Sequence, residues 1–208
     1  MIQTILQYFP DLNELQRSQL SVILPLYREW NEKINVISRK DIQNLEIHHI
    51  LHSLAIAKFL NPQPGTSIID VGTGGGFPGI PLAIVWPECK FHLIDRIGKK
   101  LRVAQAVAAA AGLTNVSFQH GDIGECHERF DFAVSRAVMD LGKLISLVRK
   151  NISNRSINSI PNGLICLKGG DLTAEIASAR SSSILEVPLS DYFKEEFFST
   201  KQLLYCPI

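Results

Sequence analysis

Cysteine is scarce and scattered: Cys89, Cys126, Cys166 and Cys206 are the four in the chain, and no two form a CxxC pair. That spacing excludes a disulfide framework and the common zinc sites, and it fits reduced thiols in the cytoplasm. Long apolar runs are missing as well. None approaches the ~18 residues that suggest a membrane span, so no membrane partner is expected. The opening "MIQTILQYFPDLNELQ" lacks the basic start, apolar core and small-residue cleavage site of a leader. There is no GxxxxGK[ST], which excludes a P-loop, and there are no internal repeats. What remains is a globular chain of 208 residues, 46% hydrophobic, with material for a substantial core.

The net charge of +1 conceals a basic middle. Residues 90–168 carry +6, whereas 1–89 carry −2 and 169–208 carry −3. Such asymmetry favours an anionic partner over a solvated face only weakly.

The first 60 residues read as helical. Asn13 suits an N-cap for the apolar-periodic stretch behind it, and Pro25 should kink or divide that helix by removing a backbone donor. Asp41 to Leu60 reads as a second amphipathic helix, and "NPQPG" at 61–65 as a linker. From Thr66 apolar runs alternate with helices. "SIIDV", "KFHLID", "NVSFQH", "FDFAVS" and "GLICLKG" are expected strands, and "PGIPLAIV", "GKKLRVAQAVAAAAGL", "LGKLISLVRK" and "DLTAEIASAR" expected helices. "SILEVPL" and "KQLLYCPI" are expected as late antiparallel strands, and 151–162 as a long polar loop. This alternation predicts a doubly wound α/β sheet. Residues 1–60 would form a helical extension and 66–208 the sheet domain, in one compact unit.

"GTGGGFPG" falls between the first strand and first helix, where such sheets bind ligands. Gly74, Gly76 and Gly79 satisfy GxGxxG, so a dinucleotide is formally possible. A pyrophosphate wants backbone donors and a positive helix end, however, and here Pro78 removes a donor while Asp70 adds a negative charge. S-adenosylmethionine reverses that logic, because its methionyl end carries an ammonium and a sulfonium. Asp70 suits those cations, and the D-x-G-x-G of Asp70, Gly72 and Gly74 is the usual methyltransferase form of the turn. Asp95, at the end of the second strand, suits the ribose hydroxyls. Asp122 and Ile123, after the third strand, are placed for the adenine.

In order along the chain, "EIHHILHSL", "DVGTGGGFPGIPLAIVWPE", "DRIGKKLRV", "FDFAVSRAV" and "LICLKG" closely resemble the RsmG (GidB) family. These are bacterial methyltransferases that act on N7 of a guanosine in 16S ribosomal RNA. The resemblance spans roughly residues 20–170. It implies a Rossmann-like, mostly parallel, seven-stranded sheet with N-terminal helices, and S-adenosylmethionine contacts at Gly72, Phe77, Asp122, Ile123 and Arg136. It also implies the small ribosomal subunit or its RNA as partner. The family commonly has an aspartate where this chain has His52, and often "NLT" where this chain reads "NVIS" from Asn35.

Guanine N7 needs no deprotonation before attack, so positioning is expected to dominate over acid–base catalysis. Arg136 is the best-placed cation, for the methionyl carboxylate or the guanosine. Lys99, Lys100 and Arg102, with Arg96, are candidate RNA contacts, and so is Lys168. His48, His49 and His52 have no cysteine or acidic ligand set beside them; a helix-surface or RNA-facing role is expected, with no metal, in a monomer. A nicotinamide-dependent oxidoreductase and a noncatalytic RNA-binding module are the alternatives; cofactor titration separates them.

Overall fold

In the computed structural model, which describes residues 2–136, 139–179 and 183–208, the apolar runs pair into one seven-stranded sheet. Its strands are β1 (Ser67–Val71), β2 (Lys90–Asp95), β3 (Val116–His120), β4 (Phe132–Arg136), β5 (Gly163–Gly169), β6 (Leu185–Pro188) and β7 (Lys201–Pro207). Their spatial order is β3-β2-β1-β4-β5-β7-β6. The first five run parallel, and β7 pairs antiparallel with both β5 and β6. Only β7 therefore opposes the rest; β6, paired against it, points the same way as β5.

Alternation along the strands explains the two layers of core. Ile68, Leu93, Phe132, Val134 and Ile165 face one side, together with α4 (Gly79–Val85) and α5 (Gly98–Ala110). Ile69, Ile94, Ala133, Leu164 and Cys166 face the other, against α6 (Leu141–Val148). The helix expected over 171–180 is present as α7 (Thr173–Ser178), and Arg180 lies outside the described residues.

The N-terminal helices complete the first layer. After α1 (Gln3–Tyr8), α2 (Glu14–Lys33) opens on a capping box, in which Asn13 and Gln16 exchange side-chain-to-backbone bonds of 2.9 Å. Pro25 does not divide α2, which runs for 20 residues. Pro25 and Ser21, whose carbonyl it deprives of a backbone donor, are both on the exposed face. Between Asp41 and Leu60 the expected single helix is instead a 3₁₀ turn (Ile42–Asn44), a π-helical turn (Leu45–Leu51) and α3 (His52–Phe59). Asp41 stays outside because its carboxylate is committed to His48 Nδ1 at 2.6 Å and His49 Nε2 at 2.7 Å. Leu20, Ile23, Tyr27, Leu51 and Leu54 share a continuous core with the sheet, across the 61–65 connection.

The loop at 151–162 is held at its base, where Asn162 Nδ2 donates to the carbonyls of Ser153 and Arg155. Asn158 accepts from the Gln63 amide at 2.9 Å. Among the described residues no helix is long and apolar enough to cross a membrane.

Candidate active site

β1 lies between β2 and β4, and the chain leaves it toward one and returns at the other; this reversal opens a crevice at the carboxyl ends. A cleft of about 400 Å³ occupies it, lined among others by Gly72, Gly74, Asp95, Lys100, Asp122 and Ile123. Gly74 has φ +58°, a left-handed conformation that a side chain strains. Gly75 needs its hydrogen for a different reason: a Cβ there would stand 2.9 Å from Val36 Cβ. The turn thus offers bare backbone to a ligand on one side and accepts the N-terminal segment on the other.

Asp95 latches this turn. Its Oδ2 accepts from the Gly74 amide and its Oδ1 from the Ile97 amide, each at 2.7 Å. Each oxygen keeps further acceptor capacity, which matches a pair of ribose hydroxyls. Asp122 Oδ1 caps the short turn behind it through the Gly124 amide at 2.8 Å, and Ile123 is buried beside it. The apolar Ile97, Met139 and Leu147 complete a wall suited to an adenine ring. The donors, acceptors and apolar surface in this cleft fit S-adenosylmethionine.

Asp70 does not line the cleft, against the expectation that it meets the ligand's cations directly. It is wholly buried beneath the turn, where Oδ2 accepts from Thr73 Oγ1 at 2.6 Å and the Gly79 amide at 2.8 Å. Burial pushes its carboxyl up to about 7, over the opposing effects of those two bonds and Arg136.

Phe77 and Arg136 also lie outside the cleft lining and form an adjoining wall. Tyr27 packs its ring 4.6 Å from Phe77 and donates its hydroxyl to the Gly75 carbonyl at 2.8 Å. The Arg136 guanidinium lies 4.9 Å from the Phe77 ring centre, with Nη2 3.1 Å from His49 Nδ1. Burial holds His49 down at about 4, with Arg136 adding to the effect and Asp41 opposing it. Partial burial raises Asp41, but bonds from Asn44, His49 and His48 outweigh it and bring its carboxyl to about 2. Burial lowers Arg136 to about 10, against Asp70, Tyr27 and Asp41, so it stays charged at neutral pH.

The three histidines are not a helix surface turned to solvent. His52 is buried, His48 stacks 3.8 Å from the Phe197 ring, and His49 bridges Asp41 and Arg136. Among the described residues no group of three or more His, Cys, Asp or Glu is arranged to hold a metal.

Two of the expected RNA contacts are placed differently. Lys168 is buried, and its Nζ donates to the Met139 carbonyl at 2.7 Å and to the Glu175 carboxylate, so it is not presented to a phosphate. Lys100 lines the cleft, its stem 4.0 Å from where a Cβ on Gly74 would stand. Arg96 lines it too, 3.7 Å from Asp122 Oδ2, while Lys99 and Arg102 are exposed on the same helix as Lys100. Ala137 and Val138 of "SRAV" lie outside the described residues. Of the cleft residues that sequence reading missed, Ile97 carried a signal, an apolar residue in the charged "DRIGKK". Met139, Lys143 and Leu147 reach the site by tertiary packing and carried none.

A doubly wound sheet with reversed β7, and a glycine turn latched by an acid at the end of β2, defines the S-adenosylmethionine-dependent methyltransferase class. Solved structures share this fold. An S-adenosylmethionine-dependent methyltransferase from Aquifex aeolicus is 16% identical with a TM-score of 0.54, over 82% of this chain and 98% of that one. Coclaurine N-methyltransferase bound to N-methylheliamine and S-adenosylhomocysteine is 15% identical with a TM-score of 0.53, over 73% and 50%. The chain belongs to the rRNA small subunit methyltransferase G (GidB) family, whose model matches residues 16–196. Similar proteins named ribosomal RNA small subunit methyltransferase G occur in Parabacteroides distasonis, 58% identical over 97% of this chain and 87% of the relative, and in Bacteroides thetaiotaomicron, 56% identical over the whole of both.

Proposed function

We propose that this chain, as a cytoplasmic monomer needing no metal, methylates N7 of a guanosine in the 16S RNA of the small ribosomal subunit. The observation that carries the reading is a cofactor cleft beside a wall whose titratable groups, Asp41, His49 and Arg136, are committed to one another. Such a wall positions a nucleophile but has no base to offer it. Guanine N7 is a nucleophile of that kind, because its in-plane lone pair carries no proton.

S-adenosylmethionine, when bound, supplies a methyl group made electrophilic by its sulfonium. Asp95 accepts from the ribose hydroxyls, the backbone at Gly72 and Gly74 allows close approach, and Asp122 and Ile123 hold the adenine. Arg136, backed by Phe77, takes the methionyl carboxylate, while Asp70 holds the turn from below. Attack by the N7 lone pair would form the new C–N bond while the S–C bonding pair left with sulfur, and no proton would need to move. Rate enhancement then comes from alignment and fixed charges.

Small subunits from a strain lacking this activity supply the test. After methylation, borohydride and aniline should cleave the 16S RNA at one guanosine, since borohydride reduces the cationic ring of an N7-methylated guanine and the base is then lost, whereas unmethylated guanosine resists. Methyl incorporation without cleavage would count against N7. The single-turnover rate should stay flat between about pH 6.5 and 9 in Asp70→Asn, which lacks the carboxyl that titrates at about 7 beneath the turn; a one-proton rise in that variant would reveal a base.

Lys99 and Arg102, exposed on α5, the helix that brings Lys100 to the cleft, are the RNA contacts supported best. Replacing both with alanine should flatten the log–log salt dependence of RNA binding by roughly 1.4, about 0.7 for each contact to a single strand. Cofactor affinity should be unmoved by that pair and reduced by Lys100→Ala. Filter binding across a salt series, with calorimetry, checks both.

A further inference from the structure

Two ring nitrogens of His49 face opposite demands. Nε2 lies 2.7 Å from Asp41 Oδ2, and Nδ1 lies 3.1 Å from Arg136 Nη2. A carboxylate only accepts and a guanidinium only donates, so both contacts are satisfied by one form of the ring, with a proton on Nε2 and a bare Nδ1. An imidazolium would set its Nδ1–H against the guanidinium. Asp41 thus selects the tautomer, and the tautomer supplies Arg136 with an acceptor. The His48 carbonyl, 3.5 Å from Nη1, and the Phe77 ring, 4.9 Å away, fix the edge and the plane of the same guanidinium. Among the described residues its remaining N–H groups have no partner, which suits them to a ligand. Asp70 pairs with Val134, so two residues further Arg136 stands level with Gly72 at the start of the turn.

We propose that His49, set by Asp41, is a positioning residue that aims Arg136 at the cofactor's carboxylate. This rests on the reading that Arg136 takes that carboxylate.

The test is calorimetric titration of the full chain with S-adenosylhomocysteine, alongside thermal unfolding of every variant. Arg136→Ala should weaken binding about a hundredfold, and His49→Ala about tenfold, as expected for charge-assisted bonds lost or misaimed. In the Arg136→Ala background, His49→Ala should cost nothing more, because the residue it orients is gone. His49→Asn places an amide oxygen where Nδ1 stands and should recover most of the loss. His49→Gln places its amide near Nε2, retains the Asp41 contact and should not. The Asn/Gln pair keeps the test decisive if the alanine variant does not fold.

Equal losses from His49→Ala with and without Arg136, or His49→Gln binding as tightly as His49→Asn, would overturn the positioning role. Weak binding by Arg136→Ala with wild-type binding by His49→Ala would overturn only the inference. Unchanged affinity in Arg136→Ala would bring down the reading of Arg136 and the inference together.

Discussion

Asp95→Ala is expected to weaken S-adenosylhomocysteine binding by about a hundredfold or more. The carboxylate serves two purposes at once: it latches the turn through the Gly74 and Ile97 amides, and it is offered to the ribose hydroxyls. Each charge-assisted bond contributes about 1.5–3 kcal/mol, and about 1.4 kcal/mol is a factor of ten in affinity. Losing two to the ligand therefore removes at least two decades, before any cost of a slackened turn. Asp95→Asn should fall between, since its amide nitrogen must face one of two backbone N–H donors. Calorimetry on folded variants measures the effect. Wild-type affinity in Asp95→Ala would move the cofactor out of this cleft.

Asp70 should produce an effect of comparable size on stability. Its carboxyl titrates at about 7 in the folded chain, raised by burial, against roughly 3.9 for an unperturbed aspartate. The folded state therefore holds a proton that the unfolded state releases across that interval. The stability this contributes is fully present below about pH 4 and lost as pH rises through about 7. A shift of three units at about 1.36 kcal/mol each gives on the order of 4 kcal/mol. Wild type must be compared with Asp70→Asn, because His49, lowered to about 4, acts in the opposite sense and gains stability as pH rises toward 6.5. Urea unfolding of both proteins without cofactor should show wild type losing ground to the variant between pH 4.5 and 7.5. A constant difference would refute the buried-acid account.

Much of this site was legible in the residues. Apolar runs of strand length marked β1, β2, β4 and β5, because a sheet covered on both faces needs no polar alternation, whereas the edge strand β3 alternates with polar residues. Asp95 could be placed because the end of β2 was visible, and the turn because glycines followed β1 directly. Burial and long-range pairing were not legible. Nothing local tells an acid facing a ligand from one tucked beneath a turn, so Asp70 was expected on the wrong side of its own loop. Lys168 stood at the end of β5 like a phosphate contact, but Glu175 from α7 reaches it. The Arg136–His49 contact joins residues 87 apart, and no periodicity encodes a pairing of that kind. The π-helical turn escaped as well, because its apolar positions also satisfy an ordinary helical pattern.

Tyr27 on α2 bonds the Gly75 carbonyl, and Val36 occupies the space a side chain on Gly75 would need. The front helices and the turn are thus not interchangeable cassettes. A chimera taking residues 1–60 from a distant relative should bind cofactor poorly unless the transplanted segment brings a phenol and a small branched residue to those two spots. Substitutions in the front helices will therefore also alter the grip on the methyl donor, so the two segments are constrained to evolve together.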